Sequence, residues 1–139
     1  YTKTIREDEG GTYGVGTSLV AQKQPVERLI GQVYFNTNPE SVAKLSALAT
    51  KGLKELAENG PSTEHFNMAI ENFKKNLPES RINNSYWFSC LSTWLEQGID
   101  YDAEYEAALN SLTPEDVKAA VQELLSQGNV INIASFPAE

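Results

Sequence analysis

Between Thr12 and Gln22 the chain alternates, with Tyr13, Val15, Thr17, Leu19 and Ala21 separated by small or polar residues. That is the two-residue period of a strand with one buried face. A second alternating run follows from Val26 to Thr37, across Lys23-Gln24-Pro25, so the pair reads as a β-hairpin. In the second run Leu29, Val33 and Phe35 share a face with Gly31, while Arg28, Ile30, Gln32 and Tyr34 share the other. The first face is the better core candidate.

From Asn38 the period changes. Asn38-Pro39-Glu40 combines a capping residue, a proline at the first helical position and an acid in the first turn. Val42, Leu45, Ala49, Leu53 and Leu56 then recur at helical spacing up to the stop at Gly60-Pro61. A second helix starts at Ser62 or Thr63 with Phe66, Ile70, Phe73 and Leu77 on one stripe, and Pro78 is expected to break or kink it. After Asn83-Asn84-Ser85, Trp87, Leu91 and Trp94 fall on one helical face, with Phe88 and Leu95 beside it and Gly98 at the end. These aromatics read as core; the other reading is an interaction face. A short helix over Tyr101 to Leu109 precedes Thr113-Pro114-Glu115-Asp116, where Thr113 caps and Leu112 can staple against Val117. Val117, Ala120, Val121, Leu124 and Leu125 form the buried stripe of that helix, Gly128 closes it, and Asn129 to Phe136 reads as a strand ended by Pro137.

The order β-β-α-α-α-α-α-β predicts an α+β domain, with helices packed on one face of a mostly antiparallel sheet. Three strands are few for five helices. The chain also opens at Tyr1, without Met, in what reads as the last turns of a helix with no start signal before Thr4-Ile5-Arg6. The expectation is therefore a fragment or processed piece of a longer protein, residues 1–139 being the C-terminal portion of a domain whose upstream strands are missing. An open sheet edge left by such strands invites pairing with another copy.

Composition narrows the chemistry. A net charge of -8 without Lys/Arg clusters weighs against nucleic acid, and no apolar run approaches the ~20 residues of a membrane helix. One cysteine, Cys90, allows neither an internal disulfide nor a Cys-based zinc cage. One histidine, His65, falls in the first turn of a helix, where a solvated polar residue is the expected reading, so no metal site is assigned. Cys90, inside the aromatic helix, reads as a buried, inert thiol. There is no nucleophile elbow and no phosphate loop with its lysine.

What remains is the stretch Arg6-Glu7-Asp8-Glu9-Gly10-Gly11-Thr12-Tyr13-Gly14-Val15-Gly16, which reads as a helix end, a glycine turn and a strand. A Tyr hydroxyl can donate to a developing oxyanion, and an Arg fork can hold a carbonyl or carboxylate. By residue chemistry alone the structural reading is favoured: Arg6 pairs with neighbouring carboxylates and Tyr13 packs across the sheet.

This stretch resembles the Arg-(six residues)-Tyr segment in the C-terminal half of pitrilysin/insulinase-type zinc metallopeptidases, relatives of the mitochondrial processing peptidase. The resemblance continues in order through the Pro39 helix start, Gly60-Pro61-Ser62, Asn83-Asn84-Ser85-Tyr86-Trp87, Leu112-Thr113-Pro114-Glu115-Asp116 and the closing Pro137. It implies a proteolytic chamber of two similar halves, in which the N-terminal half or a partner subunit carries zinc on an inverted His-x-x-Glu-His motif. By that resemblance Tyr13 is the catalytic oxyanion donor, Arg6 binds a backbone carbonyl of the peptide substrate, and this chain holds no cofactor of its own. It departs from the whole enzyme in lacking the His motif, so alone it is expected to be inactive. The other reading within the family is a non-catalytic structural or substrate-presenting subunit.

Overall fold

The computed structural model describes residues 12–23 and 25–136, and leaves the side chains of Thr12 and Tyr13 undescribed. Strands β1 (Thr12–Gln22) and β2 (Arg28–Thr37) form an antiparallel hairpin. A single 3-10 turn over Pro39–Ser41 leads into α1 (Val42–Asn59). Then follow α2 (Thr63–Ser80), α3 (Asn84–Gln97), α4 (Tyr101–Ser111) and α5 (Pro114–Ser126). The chain divides into two compact units, Tyr1–Asn59 with Lys118–Glu139, and Gly60–Val117.

In the first unit the hairpin register opposes Val15 to Phe35, Thr17 to Val33 and Leu19 to Gly31. Directly opposed residues project to the same side of a sheet, so these six form one face. That face carries the core. Leu45, only 1% exposed, and Ala49 of α1 pack on Val15, Val33 and Phe35, with Leu48 beside them. Helix α5 reaches the same face, since a β-carbon at Gly31 would stand 3.1 Å from Leu124 Cδ2. Gly31 thus lets the helix approach the sheet more closely than a side chain would permit. Gln122 Nε2 donates to the Ala57 carbonyl at 2.8 Å and ties α5 to the end of α1. The face anticipated from Leu29, Gly31, Val33 and Phe35 is the face the helices cover, and the α+β class holds.

The second unit is shaped by its helix ends. The Ser62 hydroxyl accepts from the His65 backbone N–H at 3.2 Å at the start of α2. The side chain of Asp100 accepts from the Ala103 N–H at the start of α4. Thr113 and Asp116 exchange bonds at the start of α5: the Asp116 N–H donates to Thr113 Oγ1, while the Thr113 N–H donates to Asp116 Oδ2. This is a capping box with Asp in place of the usual Glu. Gly98 closes α3 in the left-handed conformation, φ 71°.

Four expectations need correction. Asn129–Phe136 is not a strand: it forms no strand pairing among the described residues, and Ile131 and Ile133 are 81% and 89% exposed. Apolar alternation permits a strand, but only hydrogen bonding to a neighbouring strand makes one. Pro78 does not end α2, which runs on to Ser80. A proline near a C-terminus removes one N–H, and here Ser80 Oγ and Asn83 Nδ2 donate to the carbonyls of Asn76 and Glu79. Asn38 begins the helical region without a side-chain cap bond. Finally, Trp87, Leu91 and Trp94 are about half exposed rather than core, as is Phe73. Helical periodicity says which face is apolar, not whether anything covers it.

Candidate functional site

The segment singled out by sequence lies at the start of β1. Arg6 is outside the described residues, and Tyr13 is placed only as a position along the strand. Its backbone setting is informative. Thr12 pairs with Thr37 and Val15 with Phe35, so β1 has one residue more than β2 over that interval. This irregularity is a β-bulge at Tyr13-Gly14, and it interrupts the alternation by which the sequence put Tyr13 with Val15. Bulges bend a strand locally and recur beside active sites, where they re-aim a side chain.

Beyond the bulge, on the side of the sheet away from the helices, Gly16 opposes Tyr34. The Tyr34 ring lies over Gly16, occupying the space a β-carbon there would take. Among the described residues nothing stands within 4 Å of the corresponding position at Gly14. The result is an open hollow of about 360 Å³ bounded by Gly14, Val15, Gly16, Tyr34, Phe35 and Asn36. The sequence put Tyr34 on the non-core face of the second run without giving it a role, and Asn36 drew no comment. The available signal was Gly16, whose missing side chain leaves the space on the sheet that the Tyr34 ring fills.

The second unit holds a polar cluster that sequence reasoning also missed. Asp102 accepts from Arg81 Nε at 2.8 Å, from Arg81 Nη2 at 3.2 Å and from the Tyr86 hydroxyl at 2.5 Å. The Arg81 and Tyr86 hydrogen bonds hold the Asp102 carboxyl below its ordinary range. Burial, then the bond to Asp102, pushes the Tyr86 phenol well above its own. The Trp87 indole donates to the Arg81 carbonyl at 2.8 Å, and its ring meets that of Tyr86 edge-on. These groups bond to one another, and Arg81 Nη1 lies 3.7 Å from Glu106 Oε1, which describes a brace between helix ends.

The available donor side chains are scattered. His65 is exposed, with Nδ1 2.7 Å from Ser62 Oγ. Cys90 is buried in α3. Among the described residues no three His, Cys, Asp or Glu side chains converge. One exposed histidine bonded to Ser62 and one cysteine buried in another helix do not fit a catalytic zinc site.

A family model described as the peptidase M16 inactive domain matches residues 1–73. The chain belongs to the peptidase M16 family. The matched span takes in the Arg6 to Gly16 segment, the hairpin, α1 and the first part of α2. The resemblances noted at Asn83–Trp87, Leu112–Asp116 and Pro137 lie beyond it. No curated protein matches the chain. An M16 inactive domain is the non-catalytic half of its peptidase, which agrees with a donor set unsuited to zinc. No helix among the described residues is long and apolar enough to cross a membrane.

Proposed function

We propose that this M16 domain supplies substrate-binding and oxyanion-stabilising groups to a zinc site carried by an N-terminal half or partner subunit. Tyr13 donates its phenolic hydrogen to the tetrahedral oxyanion formed during peptide-bond hydrolysis, and Arg6 holds a backbone carbonyl of the substrate. A neutral hydroxyl suits the first role, because it stabilises the developing charge without a proton leaving the enzyme. A planar guanidinium suits the second, with several donors in a fixed fork. The observation that carries the reading is the family match across the Arg6–Tyr13 segment. The bulge at Tyr13-Gly14 supports it, as a device that sets a side chain apart from regular strand packing.

The test uses the complete peptidase, with its zinc-bearing half, on a fluorogenic peptide. Tyr13→Phe is expected to lower kcat by on the order of ten- to a thousandfold with little change in KM, as for one lost oxyanion donor. Arg6→Ala is expected to raise KM more than it lowers kcat. An unchanged kcat for Tyr13→Phe removes Tyr13 from the chemistry. A complete protein without zinc ligands, inert towards every unstructured peptide, would mark a structural or substrate-presenting subunit instead.

A further inference from the structure

We infer that the uncovered face of α3 docks a helix of a partner protein whose apolar stripe is flanked by Lys and Arg. Trp87, Leu91 and Trp94, with Phe88 and Leu95 beside them, are between 46% and 73% exposed. At about 100° per residue they span an arc of about 120° along the length of α3. The helix is attached to its own unit through a different line, on which Tyr86 bonds Asp102 of α4 and Cys90 is buried. Its larger apolar face therefore points away from that attachment. The steps of four and three residues between Trp87, Leu91 and Trp94 are those of a helix–helix seam, so the occupant is a helix. The five side chains offer roughly 600 Å² of apolar surface. That is the top of the range of about 300–600 Å² for the largest patch on a monomer, and most of the ~800 Å² each partner gives to a stable interface.

Charge selects the kind of helix. Gly60–Val117 holds three Lys or Arg against ten Asp or Glu, a net -7 of the chain's -8. Two of the three cations are already paired, Lys74 with Glu71 and Arg81 with Asp102. Between Arg81 and Lys118 there is no Lys or Arg, while there are seven Asp or Glu. Helix α3 itself carries one charge, Glu96. An apolar strip on a unit of one sign is complementary to an apolar stripe with basic flanks, and the same charge repels a second copy and anionic lipid. Partner Lys and Arg side chains gain further from the exposed Trp87 and Trp94 rings, since indole attracts cations. Trp87 is fixed in advance: its indole N–H donates to the Arg81 carbonyl, and its ring meets Tyr86 edge-on. Covering that ring strands no indole donor and freezes few rotamers, which keeps the cost of binding low. None of this rests on the peptidase reading above.

The complete protein is titrated against a labelled amphipathic peptide of Leu and Lys, stapled to hold it helical and to resist cleavage, with fluorescence polarisation as the readout. Phe88→Lys and Trp94→Ala are each expected to weaken binding at least about 10-fold, as at an interface hot spot. Raising the ionic strength is expected to weaken it too, and a matched peptide with Glu in place of every Lys is expected not to bind. Absence of binding by the wild-type protein overturns the inference. So does binding that survives both Phe88→Lys and Trp94→Ala, which places the peptide elsewhere. Equal binding of the Leu and Glu peptide removes the charge selection and overturns it as well. Radical footprinting reads the face directly: Trp87 and Trp94 are expected to be oxidised in the protein alone and protected by the Leu and Lys peptide. Protection before any peptide is added overturns the inference. The cover is then another part of the complete protein if its mass in solution is that of a monomer, and a second copy if it is that of a dimer. Phe88 and Trp94 are both more than half exposed, and thermal melting of each variant shows that it is folded.

Discussion

Arg81 grips Asp102 at two points, Nε on Oδ1 at 2.8 Å and Nη2 on Oδ2 at 3.2 Å, across 21 residues of sequence. The first residue follows α2 and the second lies in the first turn of α4. Tyr86, from α3, bonds the same Oδ1. One carboxylate therefore ties three helices of the second unit together. Removing Asp102 is expected to cost more than removing Arg81, because it strands three donor groups on two residues, whereas without Arg81 the carboxylate keeps its bond from Tyr86. A double-mutant cycle on Asp102→Ala and Tyr86→Phe, read by thermal melting, should show the two losses to be less than additive.

The same cluster sets a pH window. Hydrogen bonds from Arg81 and Tyr86 lower the Asp102 pKa in the folded protein, and those from Thr113 lower that of Asp116. A carboxylate with a depressed folded pKa adds stability above its unfolded pKa, about 3.9, and that stability is lost as pH falls through the folded value. Burial and the bond to Asp102 raise the Tyr86 pKa, so its contribution is full below about 10 and is lost as pH rises through the folded value. Stability should be flat across neutral pH and decline at both extremes. Urea titrations of Asp102→Asn should show a shallower acid limb than wild type, and those of Tyr86→Phe a shallower alkaline limb. Unaltered limbs would show that the cluster does not carry the pH dependence.

Leu45 provides the corresponding test for the first unit. It is the most buried large side chain among the described residues, and it anchors α1 to Val15, Val33 and Phe35. Leu45→Ala removes apolar burial and leaves a gap that the hairpin can only partly close, which should cost about 2–5 kcal/mol. Equilibrium urea unfolding measures this. A loss well under 1 kcal/mol would mean that α1 is not seated on the hairpin as described.

Local signals carried most of the element boundaries. The alternation from Tyr13 to Ala21 marked β1, Ser62 and Thr113 marked helix starts, and Gly98 marked an end, because each is decided by a few neighbouring residues. Relationships requiring a distant partner were hidden. Arg81 and Asp102 read as two surface charges, and nothing near either names the other. The bulge at Tyr13-Gly14 depends on the register against β2, which composition does not encode. The α3 stripe and the segment Asn129–Phe136 show the same limit from the opposite side. Their apolar spacing was visible, but covering a helix face or pairing a strand is a property of the neighbour. For the candidate site, the type and spacing of Arg6 and Tyr13 were visible, whereas Tyr34 became notable only once opposed to Gly16.

The exposed apolar groups lead to the last expectation, that the isolated chain self-associates. Val130, Ile131, Ile133 and Phe136 are all more than half exposed, as are Leu19 and Val20 on the hairpin. Neither β1 nor Asn129–Phe136 contains a charge or a proline, the features that commonly protect exposed strand-forming segments. Repulsion from a net charge of -8 opposes association at low salt and weakens as salt screens it. Light scattering should therefore show an average mass rising with protein concentration, more steeply at high ionic strength. Ile133→Lys should reduce the rise, placing charge on a side chain that is 89% exposed and contributes little to the fold of the single chain. A monodisperse monomer across concentration and salt would overturn the expectation. An unchanged association in Ile133→Lys would move the contact away from Asn129–Phe136, towards the uncovered Trp87, Leu91 and Trp94 face of α3.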